Sequence, residues 1–259
     1  MARTLLVLDY PGRRAEAHVC DLGLDQHGYE LLDLLRTPLP DEVTGREYTK
    51  VLADRHTLED REVTAVLAYC AAAPLAQELA RHLVEAGHPP PPLIFFNATP
   101  SAADSVRDDY TTILEQLGGA LPGKPVTGLD LPKLLPSPHD LVHAMSGELD
   151  AVVRQSLVDD LYDEEEITEA TAQIVAVYLD LLRFQISACH STAPAWGGDA
   201  VNIVSAGHSF QGDWAGARTT RLVRVECTPA ELLLSPETRD GVLAHLPSPN
   251  PTTTERCAP

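Results

Sequence analysis

Between Glu62 and Ala86 the chain changes its apolar period with no polar linker between. Glu62 to Tyr69 (EVTAVLAY) is a nearly unbroken apolar run, the pattern of a strand buried on both faces. From Ala71 to Ala86 the residues Leu75, Leu79, Leu83 and Val84 recur at helical spacing, and Gly87 followed by Pro89 closes the segment. A sharp turn at Cys70 must join the two. Such a turn lifts one side chain out of the sheet and aims it at the N-terminus of the following helix, where unpaired backbone amides can stabilise an oxyanion. The usual form of this elbow is Gly-x-Ser-x-Gly. Here it is Ala68-Tyr69-Cys70-Ala71-Ala72, so a thiol replaces the hydroxyl and alanines replace both glycines.

The rest of the chain alternates in the same manner. Thr4 to Asp9 predicts a strand, and Tyr29 to Arg36 (YELLDLLR) and Arg46 to Arg55 have helical spacing. Leu93 to Phe96 predicts a short buried strand ending at Asn97-Ala-Thr-Pro100. Four helices are then predicted in succession: Asp108 to Leu117, Pro138 to Leu149, Val152 to Leu161 and Ile167 to Ser187. Asp199 to Ser205 and Arg221 to Glu226 return to strand, with helices over Glu231 to Leu234 and Pro236 to Leu246. This order predicts an α/β fold: a mostly parallel sheet covered on both faces, with a helical insertion. The expected division is a core of residues 1–107 and 188–246, a helical lid of 108–187, and a Pro- and Thr-rich disordered tail of 247–259. Ligands of such sheets bind at the carboxyl ends of the strands. Cys70, Asn97 and the loop after Ser205 all belong to that edge.

Composition narrows the function classes. At 259 residues the chain can bury a large α/β core. The formal net charge of -19 repels nucleic acid and anionic membrane, so neither is an expected partner. Much of that charge lies in Asp159-Asp-Leu-Tyr-Asp-Glu-Glu-Glu166, which reads as an acidic helix start. No apolar run approaches the roughly 20 residues of a membrane span. The apolar start Met1 to Asp9 has no small-residue cleavage site and reads as a strand. The five cysteines (Cys20, Cys70, Cys189, Cys227, Cys257) form no Cys-x-x-Cys pair, which speaks against a zinc ribbon and for reduced thiols in a cytoplasmic protein.

From about Val63 to His245 the chain resembles the synthetase-associated thioesterase branch of the α/β-hydrolase superfamily. The segment AYCAAAPLAQELARHLVEAG matches the elbow and its helix, and LIFFNATPSAA matches the strand whose end carries a catalytic Asp, with Asn97 in that place. The helical block resembles the family lid, VNIVSAGHSFQGDW resembles the late strand and loop, and RLVRVECTPAELLLSPE resembles the last strand and the segment that bears the catalytic His. This chain departs from the pattern in several places. Cys70 replaces the nucleophilic Ser. Pro229, after Cys227 and Thr228, stands at the His position. The late loop, which carries the Asp in standalone members, offers His208 and Ser209. A Gly-rich segment for the second oxyanion amide is not evident, and the elbow comes early, as if an N-terminal strand or two were missing.

What the resemblance implies is an acyl-thioester hydrolase, or an acyl or aminoacyl transferase, serving polyketide or non-ribosomal peptide (antibiotic) biosynthesis. Its partner would be an acyl or peptidyl carrier protein and its substrate phosphopantetheine-linked, with no cofactor of its own. Cys70 is the expected nucleophile, because a thiolate at a helix N-terminus needs less help from a base than a hydroxyl does. The Ala71 amide is the expected oxyanion donor, His208 the expected acid or base, and Asn97 its orienter, with Asp213 as an alternative. Against each stands a plainer reading: Cys70 as a small buried residue, His208 and Asp213 as surface-loop residues, Asn97 as a strand-end turn residue. His139 and His143 fall at i, i+4 but lack a third ligand, so no metal site is expected. Leu157, Leu161, Leu179, Leu181 and Phe184 could line an acyl channel or simply be core. Arg81, His82, Arg183 and Lys124 are candidates for a basic patch facing an acidic carrier. The competing function is a lapsed thioesterase-like protein that binds a carrier or an acyl chain without turnover. An ordinary serine esterase is disfavoured by the missing Ser. The oligomeric state is not encoded legibly.

Overall fold

A computed structural model describes residues 3–11, 17–36, 38–100, 103–118, 126–158, 163–210 and 212–246. Six strands form one sheet: β1 (Arg3–Leu8), β2 (Tyr29–Asp33), β3 (Val63–Tyr69), β4 (Leu93–Phe96), β5 (Ala200–Ser205) and β6 (Thr220–Val225), in the order β2-β1-β3-β4-β5-β6. Every neighbouring pair is parallel. Alternate side chains therefore feed two cores. Leu6, Leu8, Val66, Ala68 and Phe95 pack under α1 (Gly45–Arg55) and α2 (Ala73–Glu85). Leu5, Val7, Ala65, Leu67, Ile94 and Ile203 face the 3-10 turns Val19–Leu22 and Pro229–Leu234 and α7 (Pro236–His245). Burial on both faces explains why the strands read as apolar runs without alternation.

The helical insertion lies between β4 and β5. It comprises α3 (Ala103–Gln116), the single turn α4 (Leu131–Leu134), α5 (Pro138–Val158) and α6 (Glu164–Cys189). It has a core of its own, including Tyr110, Leu114, Leu141, Met145, Leu149 and Leu182. Glu148 of α5 draws the block together. It accepts from the Tyr110 hydroxyl at 2.7 Å, the Gly128 amide at 2.7 Å and the Thr127 hydroxyl. The α6 helix has 26 residues and a mean hydropathy of 1.2 over its best window, enough by length and composition to cross a bilayer. Here it packs against α5, α3, α2 and α1.

The exit of α6 is tied to α2. Glu78, 1% exposed, accepts from the Thr192 amide (2.8 Å), the Thr192 hydroxyl (2.9 Å) and the Ser191 hydroxyl (3.2 Å), and its second oxygen faces Arg81 at 3.1 Å. The roof of the molecule is thereby fixed to the helix that leaves the elbow.

Three predicted elements differ. Tyr29 to Arg36 is not helical: Tyr29–Asp33 is the edge strand β2, paired with β1. Leu31, Leu32, Leu34 and Leu35 fit either period over so short a span, and a one- to two-turn helix gains little by itself, whereas a strand gains a ladder. Pro138 to Leu149 and Val152 to Leu161 are not two helices, because α5 runs unbroken from Pro138 to Val158. No Gly or Pro separates Leu149 from Val152. The tail 247–259 and Leu161 lie outside the described residues.

Candidate active site

The β3–α2 junction is as sharp as the sequence predicts. Cys70 has φ +50°, in the left-handed region that β-carbon-bearing residues avoid at a cost of about 1–3 kcal/mol. A single 3-10 turn, Cys70–Ala72, then leads into α2, with Pro74 in its first turn. The amides of Ala71 and Ala72 precede the first intrahelical bond, which runs from the Ala73 N–H to the Cys70 carbonyl. They are donors of the kind an oxyanion requires, and Ala71 is the expected one.

Cys70 is exposed and lines a cleft of about 830 Å³. Tyr10, Tyr69, Cys70 and Ala71 form the floor, and residues of α3 (Ile113, Thr112) and α6 (Ile174, Val177, Leu181, Phe184) form the roof. The lining is mainly apolar. Of the aliphatic lid residues predicted from sequence, Leu181 and Phe184 reach the cleft, while Leu179 packs in the core of the insertion and Leu157 against it. A recess of about 210 Å³ between α1 and α2 shares no residue with this cleft.

Tyr10 was not singled out in the sequence. It follows β1 at the level of the elbow, since Leu8 pairs with Ala68. Its ring lies 4.9 Å from that of Phe184. Burial, with the Asp180 carboxylate nearby, pushes its phenol up to about 12, so it stays a neutral donor across the physiological range. Asp109 and Gln185, whose side chains hydrogen-bond each other, add polar groups to the cleft wall and were also missed. Neither has a motif; only their place on facing helices reveals them.

Asn97 and His208 lie at the carboxyl edge of β4 and β5, as expected. Asn97 has φ +45° and is buried. Its side-chain oxygen accepts from the Ser205 amide at 2.9 Å and the Ser205 hydroxyl at 3.1 Å. The His208 ring contacts the Ala98 carbonyl through Nε2 at 3.1 Å. A carbonyl only accepts, so Nε2 carries a proton and Nδ1 the lone pair of the neutral ring. The two residues thus share a neighbourhood but bond to other groups. Asp213 is exposed. Pro229 begins a 3-10 turn whose Thr228 amide and hydroxyl are accepted by Glu231 at 3.0 and 2.8 Å. The position to which the resemblance assigns a histidine is thus a capped turn.

His139 and His143 are exposed on α5, and no group of three or more His, Cys, Asp or Glu among the described residues is placed to hold a metal ion. Two of the four candidate cations are already engaged. Arg81 pairs with Glu78 and Glu85, and Arg183 with Asp41 and Asp180. His82 lines the small recess, and Lys124 lies outside the described residues.

Solved structures resemble the whole chain. A Vlm2 thioesterase domain carrying genetically encoded 2,3-diaminopropionic acid and bound with a dodecadepsipeptide superposes with a TM-score of 0.53 at 13% identity, over 96% of this chain and 95% of that one. Holo-AB3403, a four-domain nonribosomal peptide synthetase bound to AMP and glycine, matches with a TM-score of 0.51 at 13% identity, over 94% of this chain and 19% of that one. No protein-family model and no curated protein sequence matches the chain. At these identities the likeness is one of fold: a mostly parallel α/β-hydrolase-type sheet with helices, as in thioesterase domains.

Proposed function

We propose that the protein is a cysteine-dependent acyl-thioester enzyme acting on carrier-bound intermediates of polyketide or non-ribosomal peptide assembly. One observation carries the reading: Cys70 sits at a positive-φ strand-to-helix turn and lines a mainly apolar cleft of about 830 Å³ under a helical roof. Strain of that kind persists where the surrounding fold enforces it, and it clusters at active sites. The fold shared with a synthetase thioesterase domain supports the same class.

In this reading the acyl group leaves a phosphopantetheine thiol and bonds to Cys70 Sγ, and the carrier thiol departs. The Ala71 amide faces the developing oxyanion. Water, an amine or a second carrier thiol then takes the acyl group. Thiol-to-thiol exchange is nearly isoenergetic, so Cys70 suits shuttling as well as hydrolysis. The insertion α3–α6 acts as the lid that excludes water, and His208 is the sequence-derived candidate for the proton-handling part, while the Asn97 side-chain oxygen is held by Ser205. The partner is an acyl or peptidyl carrier protein in the cytoplasm, and the protein needs no cofactor of its own.

Incubation with a panel of acyl-carrier thioesters tests this. Intact mass should rise by the acyl mass in wild type and not in Cys70→Ala. Failure of acylation across the panel, with carrier binding retained, would instead favour the competing reading of a lapsed thioesterase-like binder, for which the capped turn at Pro229 is the motivating feature.

A further inference from the structure

The end of β1 holds an imidazole–carboxylate pair outside the residues assigned so far. Asp9 follows Leu8 directly, and Leu8 pairs with Ala68, so Asp9 stands level with Tyr69, the residue before the thiol. The Asp9 carboxylate is buried at 5% exposure. Its Oδ2 accepts from the Val19 amide at 2.8 Å and faces His18 Nδ1 at 3.2 Å. The ring is half-exposed, with a side chain 38% accessible. A carboxylate that accepts a hydrogen bond from Nδ1–H leaves Nε2 with the lone pair of the neutral ring, the arrangement of a general base. The 3-10 turn that begins at Val19 packs on β3 and on the turn Pro229–Leu234. His18 therefore leads into a turn packed on the same sheet face as Pro229–Leu234, the segment to which the resemblance assigns a histidine.

We infer that His18, oriented by Asp9, is the acid–base partner of Cys70. The inference rests on the reading that Cys70 carries the acyl group. His18 Nε2 takes the thiol proton, and the Sγ electron pair forms the new S–C bond at the thioester carbonyl. As the carbonyl re-forms, the bond to the carrier sulfur breaks, and the imidazolium returns the proton to that leaving thiolate. In the second half His18 removes a proton from water, an amine or a thiol as it attacks, and returns it to Cys70 Sγ. Other charged groups around the ring are Asp21, which accepts from the His18 backbone amide at 2.7 Å, and Asp33 at the end of β2.

The experiment uses the full chain and two readouts. The first is the rate at which iodoacetamide alkylates Cys70, followed by peptide mass spectrometry from pH 5.5 to 9; it needs no substrate. The second is single-turnover acylation by an acyl-N-acetylcysteamine thioester. Wild type should alkylate at pH 6 within about tenfold of its rate at pH 8.5, because an imidazolium neighbour favours thiolate. His18→Gln should lose about tenfold per pH unit below the ordinary thiol range and acylate at least about 100-fold more slowly. The His18 amide donates to Asp21 Oδ2 and its carbonyl accepts from the Asp21 amide, contacts that any residue keeps, and glutamine retains a side-chain acceptor for the cap; added imidazole should rescue His18→Ala. Identical profiles in wild type and His18→Gln would overturn the inference. So would the same loss seen in His208→Gln and not in His18→Gln. A wild type that no thioester acylates but that keeps a His18-dependent alkylation profile would sink the acyl-transfer reading and leave the pair standing.

Discussion

Asn97 and Ser205 are joined twice: the Asn97 side-chain oxygen accepts both the Ser205 amide and the Ser205 hydroxyl, at 2.9 and 3.1 Å. The pair ties the end of β4 to the end of β5 beside the cleft edge. Both lone pairs of the oxygen are committed, so this carboxamide is built to hold two strand ends.

Asn97→Ala should therefore act on stability. It leaves a buried amide and hydroxyl without their acceptor and places Ala at φ +45°, for a cost of about 2–3 kcal/mol. Urea unfolding reads the loss. Single-turnover acylation below the unfolding midpoint should change little; a fall of more than about 100-fold at retained stability would show that Asn97 serves the chemistry.

Cys70→Gly separates strain from function. Glycine adopts φ +50° without penalty, though it adds entropy to the unfolded chain. The net expectation is a gain of about 0.5–1 kcal/mol with acylation abolished. A loss of stability would mean that the thiol makes contacts outweighing its backbone strain.

Two buried tyrosines should respond with opposite sign. Tyr48 Oη is buried with no hydrogen-bond partner among the described residues, so Tyr48→Phe should be neutral or stabilise by about 1 kcal/mol. Tyr110 donates to the Glu148 carboxylate at 2.7 Å, so Tyr110→Phe should cost about 1.5–3 kcal/mol. Thermal unfolding at neutral pH orders the two.

The alkaline limb of stability follows from the same groups. Burial raises the Tyr48 and Tyr110 phenols, with the Glu148 hydrogen bond adding to the second, and raises Tyr10 from 10.0 to about 12. A folded pKa above the unfolded one favours the protonated native state. Its contribution is fully present below pH 10 and is lost as pH rises through 10 toward 12 and beyond. Unfolding midpoints should be flat across neutral pH in this respect and fall above pH 10, less steeply in Tyr48→Phe. A fall equal to wild type in that variant would contradict the assignment.

The fold was legible where one period dominates. Val63 to Tyr69 has no competing pattern, and its break at Cys70 fixed strand, turn and helix together. Tyr29 to Asp33 was not, because five residues satisfy both periods and only the partner strand β1 decides between them. The candidate site divides in the same way. Cys70 sits on a local motif, so sequence finds it. Asp109, Gln185 and Tyr10 converge through the packing of α3 and α6 over the sheet, which no spacing along the chain records. His18 and Asp9 meet across a loop, and an isolated His nine positions after an Asp carries no signal until the backbone brings them to 3.2 Å.

Under the acyl-thioester reading, the roof should set substrate length. Ile174, Val177 and Leu181 present one aliphatic stripe of α6 to the cleft, and Val177 is 67% exposed there. An acyl chain laid along that stripe gains about 0.8 kcal/mol per methylene buried, close to fourfold per carbon in the acylation rate constant over KM. The gain should stop once the chain outgrows the cleft. Leu181→Trp fills part of the space nearest the floor and should move that stopping point to shorter chains, while leaving the iodoacetamide reactivity of Cys70 within about twofold. Leu181→Asp should flatten the whole chain-length series, because each added methylene would then displace hydration from a carboxylate. Rates that ignore chain length in wild type would place the acyl group elsewhere than under α6.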